Sequence, residues 1–267
     1  MYSRVSLDTV CAALAYAMGI EAPENAASPS EALCHYIDSA LFGRRAARVF
    51  MYNPDAIAEW IYHKHAELFS CLVSEDMLEL PLATVMPSVT PVCFGTMYTG
   101  AQPSVHGIRS YTKPVIAIDT LFDAMIRAGK RPAIISTSGD SMSKIYLDRD
   151  MDYFFYDTID EVNAKAAELI AADEHDFIAV YNGNYDSTMH KTGTESKQAI
   201  EALRANVKAF CDFRTLIDDA WGAHDTLIGF AMDHGCHDID GGCGSHGLDM
   251  DEDIDIVHLY LARPAKN

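Results

Sequence analysis

Short apolar runs alternate with longer amphipathic stretches from Arg45 onward. The runs 47–52, 115–118, 132–136, 177–181 and 226–232 predict strands, and helical spacing of apolar positions predicts helices near 55–68, 119–129, 160–172 and 195–220. This alternation predicts an α/β fold, one doubly wound, mostly parallel sheet with helices on both faces. The first 45 residues differ in texture: a helix-like Leu7–Met18, a turn at Ala22-Pro23-Glu24-Asn25, then a second helical stretch after Ser28-Pro29-Ser30. They predict an N-terminal helical appendage over 1–45 ahead of a single functional domain over 46–267.

With 267 residues, 49% of them apolar, the chain can bury a sizeable core. Twenty Lys and Arg against 39 Asp and Glu leave a net charge of -19, a field that repels a nucleic-acid polymer. Any anionic substrate then needs a local positive centre. Seven scattered cysteines, an odd number, predict reduced thiols and a cytoplasmic location. The apolar stretch Val10–Ile20 is too short to span a bilayer and follows Asp8, so a short helix lying on the body is expected, with no membrane anchor.

Ligands of α/β sheets gather at the carboxyl ends of strands, which directs attention to the polar residues there. Asp55 follows the run 47–52, and Thr90 precedes Pro91 at a helix start; alone, each reads as a helix cap. Asp186 and His190 stand four apart after the run 177–181, a spacing that places both on one helical face, as a metal pair or as a salt bridge. The run 226–232 ends in Asp233-His234-Gly235, and Gly244-Ser245-His246-Gly247 follows. A zinc-finger-like site from Cys236, His237, Cys243 and His246 is the rival reading, but C-x6-C-x2-H matches no common zinc knuckle. The acidic run Asp249–Asp253 reads as a solvated loop.

Together these groups resemble the alkaline phosphatase superfamily, most closely its nucleotide pyrophosphatase/phosphodiesterase and phosphonoacetate hydrolase members. The stretch Thr90–Ile108 resembles that group's nucleophilic threonine followed by T-G-x-x-P-x-x-H-G-I. Asp186–Gly193 resembles its D-S-x-x-H-x-x-G element, Asp233-His234-Gly235 its D-H-G and Gly244–Gly247 its G-T-H-G, in the same order over roughly 46–260. The resemblance implies Thr90 as nucleophile, one divalent metal on Asp186, His190 and His246, and a second on Asp55, Asp233 and His234, completed by the Thr90 oxygen. The family shows aspartate-glycine where this chain has Asp55-Ala56.

The resemblance further implies hydrolysis of phosphate diesters or nucleotide pyrophosphate bonds through a covalent phosphothreonine, on a small phosphorus-containing substrate. A phosphomonoesterase or phosphonate hydrolase using the same site, and a non-enzymatic binder that retains it, are the alternatives. Mixed imidazole and carboxylate ligands suit zinc first, with manganese or iron as further choices. Where many of the diesterases carry a phosphate-binding asparagine this chain reads Arg109-Ser110-Tyr111-Thr112, so Tyr111 or Arg109 is the candidate donor. The short span from His234 to His246 leaves no room for the cap of phosphomutases, and threonine at 90 argues against a sulfatase. Backbone N–H groups of the helix behind Thr90 are expected to meet developing charge.

Overall fold

The computed structural model describes residues 4–266. Its most apolar runs form the middle of an eight-stranded sheet, because a strand covered on both faces by helices has no polar side to expose. The strands are β1 (Val5–Ser6), β2 (Arg48–Pro54), β3 (Leu78–Ala83), β4 (Pro132–Thr137), β5 (Asp152–Tyr156), β6 (Phe177–Asn182), β7 (Thr226–Ala231) and, after a small hairpin of β8 (His237–Ile239) and β9 (Cys243–Ser245), β10 (Asp255–Arg263). Their spatial order is β1-β3-β10-β7-β2-β6-β4-β5. Only β10 runs antiparallel to its neighbours β3 and β7; the other pairs are parallel. The carboxyl ends of β2, β3, β4, β6 and β7 therefore share one edge.

Successive side chains of β2 point to opposite layers. Phe50 and Tyr52 pack against Phe210 and Phe213 of the long helix Lys197–Ala220. Asn53, on the other face, accepts from the Tyr98 hydroxyl at 2.8 Å, on helix Thr90–Thr99. Phe94, Tyr98, Phe122, Tyr146 and Phe177 build the aromatic part of that second layer. The sheet is thus mostly parallel with helices on both faces.

Several expectations are corrected. The run 115–118 is irregular, with only Ile116 buried among its four residues. Strands β3, β5 and β10 are absent from the sequence reading. Pro81 makes β3 read as broken, yet it sits opposite Val257 of β10. The expectation of seven reduced thiols fails at Cys71 and Cys211, which form a disulfide between the segment after helix Glu59–Lys64 and helix Lys197–Ala220. The acidic run is not wholly solvated: Asp253 is fully buried, accepting from His237 Nδ1 at 2.7 Å and from the Leu248 amide at 2.8 Å. Within 1–45, β1 joins the sheet beside β3 and helix Thr9–Met18 is almost wholly buried against the helix carrying Thr90. Among the described residues no helix is long and apolar enough to cross a membrane.

Candidate active site

Asp55 stands immediately beyond β2, its amide bonded to the Asn182 carbonyl at the end of β6 (3.1 Å). Helix Asn184–Thr192 begins directly after β6, so Asp186 in its first turn and His190 one turn later face the same way. Asp233 and His234 follow β7, and His246 follows β9. Thr90 is the first residue of its helix, so it caps nothing; Val89 holds the cap position. Asp55, too, lies at a strand end ahead of a helix that starts only at Glu59, with Ala58 at its cap.

Folding brings these side chains into two groups, Asp186 with His190 and His246, and Asp55 with Asp233 and His234, the ligand atoms of each lying within 4.8 Å of one another. The His234 and His246 ring centroids are 4.1 Å apart, which places the groups side by side. Thr90 Oγ1 lies 3.3 Å from Asp55 Oδ2 and 3.3 Å from His234 Nε2. The groups differ in exposure: Asp55, Asp233 and His234 are buried, whereas 39% of the His190 side chain is exposed.

The hydrogen bonds determine what these groups can hold. Nδ1 of His190, His234 and His246 each faces a backbone carbonyl at 3.0 Å, of Gly244, Gly235 and Ser88. A carbonyl only accepts, so in the neutral rings Nδ1 carries the proton and Nε2 an outward lone pair. Those Nε2 atoms approach Asp186 Oδ1 at 3.1 and 3.4 Å, Asp55 Oδ1 at 3.3 Å and Asp233 Oδ2 at 3.4 Å. None of these three buried carboxylate oxygens has a hydrogen-bond partner. Lone pairs converging on lone pairs repel, and an orphaned buried oxygen is costly. A divalent cation in each group would turn that repulsion into coordination, so the donor set fits two such ions.

Without cations the strain appears as displaced proton affinities. Burial and then the Asp186 charge push Asp55 up to about 7, and burial with the Asp55 charge raises Asp233 well above the carboxylate range. Burial also works against Asp186, yet His190 and His246 hold it below its ordinary value. Burial and His246 push His234 well down.

Sequence reasoning missed the support around this cluster. The Tyr181 hydroxyl donates to Asp55 Oδ2, and Thr84 Oγ1 donates to the Asp233 carbonyl at 2.6 Å. A tyrosine closing an apolar strand reads as core, and no signal separated it. Gly235 is required because a Cβ there would strike the Glu252 carbonyl, and Gly95 because a Cβ would meet His106 Cε1 at 2.8 Å. Ala56 takes a left-handed φ of 63°, a conformation that glycine adopts more easily, its amide donating to Asp233 Oδ1 at 3.1 Å.

Other predicted contributions are rearranged. Behind Thr90, Pro91 has no N–H and the Val92 and Cys93 amides bond the Val89 carbonyl, so that helix offers its dipole more than a row of free donors. Arg109 donates to the Ser104 carbonyl at 3.0 Å, with no ion pair among the described residues. Tyr111 is 60% exposed. Its hydroxyl is pushed above its ordinary value by partial burial and then by Asp55, Asp186 and Asp233, which puts it within their field. Of the rival zinc-finger residues, Cys236 is buried beside the Tyr185 hydroxyl and His237 is bound to Asp253. A concavity of about 660 Å³ beside Trp221 and Arg263 contains none of the candidate residues.

The fold is alkaline phosphatase-like, as its likeness to several solved structures shows. Murine ectonucleotide pyrophosphatase/phosphodiesterase 5, as an inactive variant in complex with AMP, superposes with a TM-score of 0.61 at 12% identity, over 82% of this chain and 88% of that one. The C-terminal periplasmic domain of phosphoethanolamine transferase EptC from Campylobacter jejuni gives 0.58 at 11% identity, over 82% and 80%. Phosphonoacetate hydrolase from Sinorhizobium meliloti 1021, in complex with phosphonoformate, gives 0.52 at 18% identity, over 76% and 61%. No family model matches the sequence, and no curated protein matches it. At such identities these likenesses define the fold.

Proposed function

We propose that the chain is a metal-dependent phosphohydrolase that cleaves a phosphate diester or nucleotide pyrophosphate bond through a covalent intermediate on Thr90. The observation that carries this reading is the position of Thr90 Oγ1, 3.3 Å from both Asp55 Oδ2 and His234 Nε2, beside two sets of unpartnered ligand atoms. Asp186, His190 and His246 would hold one divalent ion and Asp55, Asp233 and His234 the other, with zinc the best match to the donors. Bound there, the pair supplies Lewis-acid stabilisation of the attacking and leaving oxygens.

The chain's own residues do the rest. Thr90 Oγ1 attacks phosphorus, an Oγ–P bond forms, and the bond to the leaving oxygen breaks. Asp55 Oδ2 already accepts from the Thr90 hydroxyl and stands ready for its proton, while Tyr181 holds that carboxylate in place. Water then attacks phosphorus, the Oγ–P bond breaks, and Thr90 regains a proton. The nucleophile sits at a helix N-terminus, where the dipole favours negative charge. Tyr111, exposed on the loop after helix Thr90–Thr99, is the candidate donor to a phosphate oxygen. A phosphonate or monoester substrate is the second reading, favoured by the same site and by the likeness to phosphonoacetate hydrolase.

Thr90→Ala tests the proposal. In zinc-loaded protein kcat/KM on an aryl phosphodiester should fall at least about a thousandfold, with metal content unchanged. Retained turnover would remove Thr90 from the mechanism.

A further inference from the structure

Asn182, the last residue of β6, joins the elements that carry the two candidate metal groups. Its main-chain carbonyl accepts the Asp55 amide at 3.1 Å. Its side-chain Oδ1 accepts the Asn184 amide at 3.0 Å, the first N–H of the helix that presents Asp186 and His190. The second bond fixes how that helix leaves the sheet beside Asp55. It also fixes the side-chain amide: with Oδ1 facing a backbone donor, Nδ2 points at the Tyr52 hydroxyl oxygen, 2.7 Å away. That oxygen must then accept, so the Tyr52 proton goes to Asn206 Oδ1 at 3.0 Å, on helix Lys197–Ala220. Tyr52, Asn182 and Asn206 are all buried.

The chain of bonds ends at Asn206 Nδ2, which is buried with no partner. An orphaned amide on the helix face that also buries Leu203, Val207 and Phe210 costs stability that leucine would not, so packing does not account for it. What asparagine supplies is an acceptor. Without one, the Tyr52 proton has only the Asn182 side chain to turn to, and an Asn182 amide turned over to receive it would set Nδ2 against the Asn184 N–H, donor against donor. We infer that Asn182, held by Tyr52 and Asn206, is a positioning residue that sets the helix of Asp186 and His190 against Asp55 and so fixes the spacing of the two metal groups. The inference rests on the metal-dependent reading above, and the three residues act on the ligands rather than on the reacting atoms.

The test measures zinc affinity by competition titration, and the visible spectrum of the cobalt-loaded protein, in wild type, Asn206→Leu, Asn182→Ala and the double variant. Asn206→Leu, close in volume, should weaken zinc binding about tenfold and shift the cobalt bands while leaving the urea midpoint of the metal-free protein unchanged, a split that a packing residue does not produce. Asn182→Ala should lose at least as much, and the double variant no more than Asn182→Ala alone, because the two side chains act through one bond. Unchanged affinity in either single variant, or losses that add in the double variant, overturns the inference while leaving the metal centre intact; Asn182→Ala alone decides it if Asn206→Leu does not fold. Wild-type protein that binds neither zinc nor cobalt overturns the metal-dependent reading, and the inference with it.

Discussion

Tyr181 donates to the one Asp55 oxygen that also accepts from Thr90, leaving the other oxygen free to face His234. Groups that orient a ligand in this way commonly matter almost as much as the ligand itself. Tyr181→Phe should therefore weaken zinc binding about 10- to 100-fold by competition titration, with little change in the thermal midpoint of the metal-free protein. An unchanged affinity would reduce Tyr181 to packing. Four of the candidate ligands are legible in the sequence because they are chemically marked, by helical spacing for Asp186 and His190 and by an adjoining glycine for His234 and His246. Tyr181 carries no such mark, since its polar tip is used only after β6 has been laid beside β2.

At the scale of elements, β2, β4, β6 and β7 are legible as dense apolar runs bounded by turn residues, which is what burial on both faces requires. The outer strands are not. β3 alternates and contains Pro81, and β5 is half-buried throughout, so their pairing depends on tertiary neighbours. The disulfide is also a long-range fact, linking residues 140 apart. Replacing Cys71 and Cys211 by alanine should lower unfolding stability by about 2–4 kcal/mol in urea titration, through the larger unfolded ensemble. If oxidised wild type and the double variant share one midpoint, the bond does not form in solution.

For the whole molecule, the acidic balance makes the site a place where charge must be compensated. Asp55 titrates near 7 in the metal-free fold and near the ordinary 3.8 when unfolded, and Asp233 is raised likewise. A raised folded value favours the fold at low pH and withdraws that support as pH climbs from about 4 through about 7. The thermal midpoint gained on adding zinc should thus be larger at pH 8 than at pH 5, where His190 and, against its own burial, His246, both held up by Asp186, also bind protons. A gain independent of pH would place the ions elsewhere. The most direct measurement is anomalous diffraction at the zinc edge from crystals grown with zinc. It should show two peaks, one among Asp186, His190 and His246 and the other among Asp55, Asp233 and His234; no peaks, or peaks remote from Thr90, would contradict the account.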